Sequence, residues 1–302
     1  MICEDRVVVV TGAGRGLGRA HALEFARQGA AVVVNDLGVA RDGTGAASGG
    51  PAEDVVAEIR GAGGRAVAST HDIATDLGAA ALVATAIEHF GRLDVLVNNA
   101  GFLRDRMLIN LSEEEWDAVM RVHLKGHFLP LKHAGQYWRA ESKAGRPVDG
   151  RVINTSSGAG LLGSVGQGNY SAAKAGIVGL TLVASAELGR YGVTVNAIAP
   201  AARTRMTEEV FAQTMAAPAE GEFDAMAPEN VSPLVVWLGS AHSRGITGRV
   251  FEAEGGRICV MDGFRHGPVA DKGARWDPAE VGPVVAGLLA KAPAPELVYG
   301  AG

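Results

Sequence analysis

A short apolar run near the amino terminus leads directly into a glycine-rich turn, and a helical pattern follows the turn. Residues 6–10 (RVVVV) form a short β-branched apolar run, which predicts a buried parallel strand. The run continues directly into TGAGRGLG at residues 11–18, and apolar residues at helical spacing follow. Glycines let the backbone approach a pyrophosphate, and a helix amino terminus adds a positive dipole and free N–H groups. Strand, turn and helix together predict a phosphate-binding turn.

The next predicted strand ends on an acidic residue. Residues 31–35 (AVVVN) are apolar and β-branched, and Asp36 follows them about twenty residues past the glycines. A carboxylate at this place bonds the adenosine ribose hydroxyls of NAD and repels the 2′-phosphate of NADP. Asp36 therefore favours NAD as the cofactor. The alternative is a loop aspartate without a ligand.

Short apolar runs and helical patterns continue to alternate along the chain, which predicts an α/β fold with a parallel sheet. Asp72 and Ile73 follow the third predicted strand, where we expect them to touch the adenine. Residues 98–101 (NNAG) follow the fourth, at the sheet edge where ligands bind. Residues 37–50 are long and glycine-rich, which predicts a mobile loop.

Three residues further along form a candidate catalytic group. Tyr170 lies four residues before Lys174, so both share one face of a predicted helix, and Ser157 lies thirteen residues before Tyr170. A neighbouring ammonium lowers the pKa of a phenol, so we expect Tyr170 to act as a general base near neutral pH. We expect Ser157 to hold the oxygen that loses or gains the proton. The alternative is a surface tyrosine beside a solvated lysine.

Composition excludes several other classes of protein. The 302 residues are 47% hydrophobic and 20% charged, which indicates a globular chain. The net charge of −5 and the lack of a basic cluster argue against nucleic-acid binding. Cys3 and Cys259 are far apart and fit no metal-ligand or redox spacing, so we expect no metal and a reducing, cytoplasmic location. No apolar run reaches the roughly 18 residues of a membrane span.

The motifs TGAGRGLG, NNAG and Ser157/Tyr170/Lys174, in this order and spacing, resemble those of the classical short-chain dehydrogenase/reductases. The resemblance covers residues 6–256. It implies a doubly wound domain of seven parallel strands with helices on both faces, which binds NAD(P) across the topological switch point. It also implies that Tyr170 is the acid/base, that Lys174 lowers its pKa and binds the nicotinamide ribose, and that Ser157 polarises the substrate oxygen.

The resemblance, together with the motifs above, gives a set of candidate binding residues. The cofactor candidates are Gly12, Arg15, Gly16, Leu17, Gly18, Asp36, Asp72, Ile73, Asn99, Ala100, Gly101, Val122, Tyr170, Lys174, Pro200 and Thr204. The substrate candidates are Ser157, Ser164, Gln167 and Tyr170. The family commonly has Pro-Gly where this chain has Pro200-Ala201, so we expect the nicotinamide-side loop to be held slightly differently.

Four further segments are similar to one branch of the family. They are VVNDLG at 33–38, GFLRDRM at 101–107, RVHLKGHF at 121–128 and NAIAPAARTRMT at 196–207. That branch is the (3R)-hydroxyacyl-CoA dehydrogenase domain of peroxisomal multifunctional enzyme type 2, also called a 17β-hydroxysteroid dehydrogenase. It implies NAD-linked oxidation of a secondary alcohol on an acyl-CoA or a steroid. The family also implies a homodimer or homotetramer.

His123 stands where the family usually has asparagine. In the family, the main-chain carbonyl of that residue helps to hold a water that joins Lys174 to solvent, and a histidine supplies the same carbonyl. A direct catalytic role of His123 in proton transfer is one interpretation. A packed helix histidine is the other. His127 and His133 have no metal-like partners and are interpreted as structural.

The remaining segments are assigned by position. Residues 1–256 are expected to form the catalytic domain, with a substrate lid at 201–228. Arg203 and Arg205 in this lid either meet a CoA phosphate or are solvated or paired with nearby glutamates. Residues 257–302 form an extension, with one helix at 278–291, packed on the same domain or on a neighbouring subunit. Rival functions are a dehydrogenase of steroids or other lipophilic alcohols and a non-catalytic NAD(H)-binding regulator.

Overall fold

The fold is built on one twisted sheet. The computed structural model describes residues 1–39, 50–203, 218–219 and 221–300. The strands are β1 Val7–Thr11, β2 Ala31–Asn35, β3 Arg65–Ser69, β4 Val95–Asn98, β5 Gly150–Thr155, β6 Val193–Ala201, β7 Val250–Glu254 and β8 Arg257–Val260. Their order across the sheet is β3-β2-β1-β4-β5-β6-β7-β8. The strands β1 to β7 pair in parallel, so the predicted doubly wound sheet of seven parallel strands is confirmed.

Helices cover both faces of this sheet. They are α1 Gly16–Arg27, α2 Gly50–Gly61, α3 Asp76–Phe90, α4 Glu113–Met120, α5 Gly126–Lys143, α6 Gly158–Leu162, α7 Gly168–Leu188, α8 Ser232–Gly239 and α9 Pro278–Leu289. Alternate residues of each strand feed opposite cores. Val8 and Val10 pack into one apolar cluster, whereas Val7 and Val9 pack into the other. Successive strand side chains point to opposite faces, which explains why the central strands are apolar throughout.

The sheet order places a crevice at the carboxyl ends of β1 and β4. The chain runs outward from β1 to β2 and β3, then returns to β4 on the other side of β1. The connections that leave β1 and β4 therefore diverge over opposite faces, and a gap opens between them. The glycine-rich turn follows β1 and the NNAG segment follows β4, so both predicted motifs lie at this gap.

Two local elements differ from the sequence prediction. The amphipathic pattern of residues 112–139 predicts one long helix, but a π-helical turn, Arg121–Lys125, lies between α4 and α5. Ser112 and Glu115 have the sequence spacing of a capping box, and in the structure they cap each other's backbone at the start of α4. Outside its helix at 278–291, the sequence of the extension predicts loops, but Arg257–Val260 forms β8, antiparallel to β7. Gly255, at a φ of +54°, permits the tight turn between them.

Several predicted features lie wholly or partly outside the described residues. These are Thr204, Arg205, most of the glycine-rich loop at 37–50 and much of the lid at 201–228. Of the described lid residues, Arg203 forms an ion pair with Asp224. In the extension, the predicted helix is present as α9, and none of its residues is buried.

One described helical segment, Gly168–Tyr191, has the length and mean hydropathy, 1.3, of a membrane span. This is weak evidence, because a core helix of a globular fold passes the same test. The segment contains α7, which packs beside β6 and carries Tyr170 and Lys174.

Candidate active site

The glycine-rich turn is packed directly against the NNAG segment. A Cβ atom on Gly12 would lie 2.7 Å from Cα of Ala100, and one on Gly18 would lie 2.2 Å from the carbonyl oxygen of Gly12. The Asn99 side chain donates to the carbonyl oxygen of Thr11 at 3.0 Å. The Thr11 hydroxyl accepts from the main-chain N–H of Asn99 at 2.9 Å. These contacts fix the turn at the mouth of the crevice and explain its glycines.

Asp36 lies at the end of β2, beside the same turn. Its carboxylate accepts hydrogen bonds from the main-chain N–H groups of Gly14, at 2.9 Å, and Gly38, at 2.7 Å. The carboxylate therefore has a fixed place at the cleft wall. A ribose diol fits this acceptor, whereas a 2′-phosphate would meet like charge.

Ser157, Tyr170 and Lys174 come together from two elements and line one cleft of about 340 Å³ with the glycine turn. Ser157 follows β5 and caps α6, where its hydroxyl accepts from the N–H of Ala159 at 3.2 Å. The Lys174 ammonium lies 5.5 Å from the centroid of the Tyr170 ring. It donates to the carbonyl oxygen of Thr155 at 2.6 Å.

Burial acts against the lowering of the Tyr170 pKa that the resemblance implies. Burial raises the pKa of Tyr170 to about 12, the hydrogen bond with Ser157 lowers it in part, and the charge of Asp105 raises it. Burial also lowers the pKa of Lys174 to about 7. Burial therefore acts against the charged form of Lys174, whose nitrogen donates to the carbonyl oxygen of Thr155.

His123 lies in the π-helical turn and is completely buried. Its Nε2 is 3.0 Å from the main-chain nitrogen and 2.7 Å from the main-chain oxygen of Phe102, so one tautomer donates and the other accepts. The ring meets Tyr170 edge to face, with centroids 5.2 Å apart. A Cβ atom on Gly101 would lie 2.2 Å from Cε1 of His123, so this glycine makes room for the ring.

Burial lowers the pKa of His123 to about 3, and the charge of Lys174 lowers it further, against a hydrogen bond with Phe102 that raises it. The imidazole is therefore neutral at physiological pH. Its position fits packing against the phenol of Tyr170 more closely than exchange of protons with solvent, because none of its surface is exposed.

Nearly all of the predicted cofactor-binding residues line the cleft. Those that line it are Gly12, Arg15, Gly16, Leu17, Gly18, Asp36, Asp72, Ile73, Asn99, Ala100, Gly101, Val122, Tyr170, Lys174 and Pro200. Thr204 lies outside the described residues. The Asp72 carboxylate is engaged by Arg121 at 2.5 Å. The glycine cradle, the acidic end of β2 and the phenol–lysine pair fit a nicotinamide dinucleotide.

On the substrate side, Ser157, Gln167 and Tyr170 line the cleft, whereas Ser164 is absent from the described residues that line it. Ser164 instead faces the carboxyl-terminal tail through a backbone bridge with Tyr299. The sequence reasoning missed several lining residues: Asn35, Leu37, Val39, His71, Phe102, Leu103, Arg121, Thr155, Ser156 and Ala202. Most of these lining residues are next to a predicted residue in the sequence, so the positions of the motifs could have indicated them.

The carboxyl-terminal tail reaches the loop that follows Ser157. The main-chain N–H of Val165 donates to the carbonyl oxygen of Tyr299 at 2.9 Å. The main-chain N–H of Tyr299 donates to the carbonyl oxygen of Gly163 at 3.2 Å. A Cβ atom on Gly158 would lie 3.0 Å from the Tyr299 hydroxyl. The sequence carried no signal for this contact.

No group of three or more His, Cys, Asp or Glu side chains in the described part of the chain is arranged to hold a metal ion. The described residues of the cleft combine a dinucleotide cradle with the candidate acid/base groups Ser157, Tyr170 and Lys174.

Residues 6–215 match the short chain dehydrogenase family, and the chain belongs to this family. It is an oxidoreductase that acts on CH–OH groups, with the NAD(P)-binding fold of that family. Among its relatives, the hydroxyacyl-CoA dehydrogenase ChsB1 of Mycobacterium tuberculosis is 48% identical over 91% of this chain and 86% of its own length.

Two further relatives extend the comparison. The peroxisomal multifunctional enzyme type 2 of Mus musculus is 45% identical over 78% of this chain, which spans 30% of the mouse protein. A short chain dehydrogenase from Mycobacterium avium has a crystal structure that is 64% identical, covers 100% of both chains and superimposes with a TM-score of 0.89. The predicted resemblance to the family and to its multifunctional-enzyme branch is confirmed.

Proposed function

We propose that this protein is an NAD-dependent dehydrogenase that oxidises the secondary alcohol of a (3R)-hydroxyacyl-CoA to a ketone. The observation that carries the proposal is that Ser157, Tyr170 and Lys174 line the same cleft as the glycine turn and Asp36. The similarity to a hydroxyacyl-CoA dehydrogenase over 91% of the chain supports the substrate class.

Side chains of the protein carry out the proton transfer in the proposed reaction. In the oxidation, the phenolate oxygen of Tyr170 takes the hydroxyl proton of the substrate, and the Ser157 hydroxyl donates a hydrogen bond to the same substrate oxygen. The carbinol hydrogen leaves with its two electrons, and the bound nicotinamide supplies the acceptor for this hydride. The products are the ketone, the reduced nicotinamide and a protonated Tyr170. The Lys174 nitrogen lies 5.5 Å from the centroid of the Tyr170 ring and donates to the carbonyl oxygen of Thr155 at 2.6 Å.

The pKa of Tyr170 sets the expected pH dependence. With a pKa raised to about 12, the phenol is almost entirely protonated at neutral pH. Alcohol oxidation needs the phenolate, so its rate should rise between about pH 7 and pH 10, whereas ketone reduction needs the phenol and should proceed at neutral pH.

The choice of NAD over NADP rests on Asp36, whose carboxylate faces the cleft. Arg15 lines the same cleft and carries the opposite charge, which favours a phosphate. We propose that Asp36 decides the preference because two backbone N–H groups hold it in place. A cytoplasmic location and a homodimer or homotetramer are part of the same proposal. The location is supported by the two free cysteines.

The test is a panel of alcohols with purified protein and either NAD or NADP, followed by absorbance of the reduced nucleotide. The panel contains (3R)- and (3S)-hydroxyacyl-CoA and 17β-hydroxysteroids. We expect turnover of the (3R)-acyl-CoA with NAD. Turnover of steroids alone would move the protein to the rival substrate class. Nucleotide binding without any turnover would instead favour a non-catalytic regulator.

A further inference from the structure

The carboxyl-terminal tail, residues 297–300, lies along the loop that follows the short helix α6. The main-chain N–H of Val165 donates to the carbonyl oxygen of Tyr299 at 2.9 Å. The main-chain N–H of Tyr299 donates to the carbonyl oxygen of Gly163 at 3.2 Å. Ser164 and Tyr299 form a parallel β-bridge through these two bonds. The main chain therefore fixes which residue of the tail faces the start of α6.

Glycines of α6 and of its loop leave room for the side chains of the tail. A Cβ atom on Gly158 would lie 3.0 Å from both Cε2 and the hydroxyl oxygen of Tyr299. A Cβ atom on Gly163 would lie 3.3 Å from Cγ1 of Val298. Ordinary contacts between carbon atoms are about 3.5–4.0 Å, so the tail occupies the space of a side chain at both positions. Gly158 does not have a positive φ, so its missing Cβ serves the ring contact rather than the backbone conformation.

Helix α6 is held from two sides. On one side it packs on α7, where a Cβ atom on Gly160 would lie 2.5 Å from Cβ of Lys174. On the other side, the ring of Tyr299 covers Gly158. Positions 158 and 160 are about 200° apart around a helix, so the two contacts lie on nearly opposite faces. A helix of five residues is marginal on its own, so these contacts determine where α6 lies.

The residue that caps α6 is Ser157. Its hydroxyl accepts from the main-chain N–H of Ala159 at 3.2 Å, and its main chain is extended. Ser157 lines the cleft, whereas Tyr299 is absent from the described residues that line it. The tail therefore acts on the cleft through α6 and the serine at its amino terminus.

We propose that Tyr299 is a positioning residue for Ser157: its ring packs on Gly158 and holds α6 in the place from which the serine hydroxyl meets the substrate oxygen. The inference rests on the proposed function, because it assumes that Ser157 donates a hydrogen bond to that oxygen. A hydrogen bond weakens steeply as its angle departs from linear, so a small displacement of α6 is sufficient to weaken substrate binding. The dinucleotide side of the cleft is formed by the turns after β1 and β2, so it should be unaffected.

Two substitutions at position 299 test the role of the ring. Tyr299→Ala removes it, so we expect KM for the alcohol to rise about three- to tenfold while the Kd for NADH stays within about twofold. Tyr299→Phe keeps the ring against Gly158, so its KM should stay within about twofold of the wild type. Leu297→Ala is the matched control, because Leu297 belongs to the same tail and is 84% exposed. A KM of Tyr299→Ala equal to that of the wild type would overturn the proposal, as would equal KM values in Tyr299→Phe and Tyr299→Ala.

Gly158→Ala tests the same contact from the other partner. The atoms that would crowd the added methyl group belong to Tyr299, so this variant should also raise KM. In the double variant Gly158→Ala/Tyr299→Ala the crowding is gone, and KM should equal that of Tyr299→Ala alone. A KM ratio that equals the product of the two single ratios would show that the two positions act independently, which contradicts the proposal.

Hydrogen exchange tests the docking of the tail without turnover. The N–H of Val165 is bonded to the tail, so exchange in a peptide that covers residues 158–166 reports on it. We expect this N–H to exchange at least about tenfold faster in Tyr299→Ala than in the wild type, and at the wild-type rate in Tyr299→Phe. Equal exchange in the wild type and Tyr299→Ala would overturn the claim that the ring holds the tail. Faster exchange in Tyr299→Ala, with no turnover of any hydroxyacyl-CoA by the wild type, would count against the proposed function alone.

Discussion

At the scale of single residues, the site depends on where a side chain is missing as well as on where one is present. Gly101 has no Cβ, and the space that a Cβ would take is filled by the imidazole of His123. The imidazole in turn supports the edge of Tyr170. Gly101 leaves space for the His123 ring, and the His123 ring packs against Tyr170. The NNAG motif therefore supports the acid/base residue as well as the dinucleotide side of the cleft.

His123→Asn should keep activity and lose stability. The main-chain carbonyl stays, but the ring contact with Tyr170 and the hydrogen bond with Phe102 are lost. We expect kcat within about tenfold of the wild type and a free energy of unfolding lower by about 1–3 kcal/mol, measured by urea denaturation. A fall in kcat of about a thousandfold in a folded variant would instead give the imidazole a direct chemical role.

Asp36→Ala should narrow the preference for NAD. Removing the carboxylate removes both the acceptor for the ribose hydroxyls and the repulsion of a 2′-phosphate. We expect the ratio of kcat/KM for NAD to that for NADP to fall by at least about tenfold, or about 1.4 kcal/mol. Arg15→Ala is the paired variant and should move the ratio the other way. A wild type that prefers NADP would show that Asp36 is misassigned.

At the scale of the elements, periodicity and capping residues were sufficient for most of the fold. The valine runs of β1 and β2 and the Ser112–Glu115 capping box of α4 were all readable from local sequence. The π-helical turn Arg121–Lys125 could not be predicted from local sequence, because an extra residue in a helical turn leaves the apolar spacing nearly unchanged over so short a stretch. A strand β8 could have been inferred from Gly255-Gly256 between two apolar runs.

The same limit applies to the site. Its glycine turn, Asp36 and Tyr170–Lys174 pair are encoded by short spacings, so the sequence predicted them together. The contact of Tyr299 with Gly158 joins positions more than a hundred residues apart in the chain, and no local pattern indicates it. The pKa direction of Tyr170 was also beyond the sequence, because it depends on burial that only the packed structure shows.

Tyr299→Ala tests whether the tail shapes the substrate side of the cleft. The Tyr299 ring covers Gly158, the neighbour of Ser157, so its loss should open the substrate side and leave the dinucleotide side alone. We expect KM for the alcohol to rise by about three- to tenfold while the Kd for NADH is unchanged. Val285→Ala, a half-exposed position of α9, is the control. Equal KM values in all three proteins would contradict a role for the tail.

At the scale of the whole molecule, three histidines are buried without exposed surface: His21, His123 and His127. Burial lowers the pKa of His21 and of His123 to about 3, and burial also lowers the pKa of His127 well below its usual range. These three histidines therefore stay neutral in the folded protein at pH values where the same side chains in the unfolded chain, with a pKa of about 6.5, bind protons. Stability is complete above about pH 7 and decreases as the pH falls.

Acid should destabilise the fold well before the carboxylates titrate. Each such histidine contributes up to about 1.4 kcal/mol per pH unit between about pH 6.5 and its folded pKa. Urea denaturation from about pH 8 to about pH 4.5 measures this dependence. His21→Leu removes one of the three groups, away from the cleft, and should reduce the slope by about one proton. A stability that is constant between about pH 6 and pH 4.5 would contradict this account.

The most direct test of the central claim, that Tyr170 is the proton acceptor, is the variant Tyr170→Phe. It removes one oxygen and keeps the ring beside His123 and Lys174. We predict that the rate of alcohol oxidation falls by at least about a thousandfold, whereas the Kd for NADH stays within about threefold of the wild type. Turnover within about tenfold of the wild type, with the same affinity for NADH, would contradict the assignment of Tyr170.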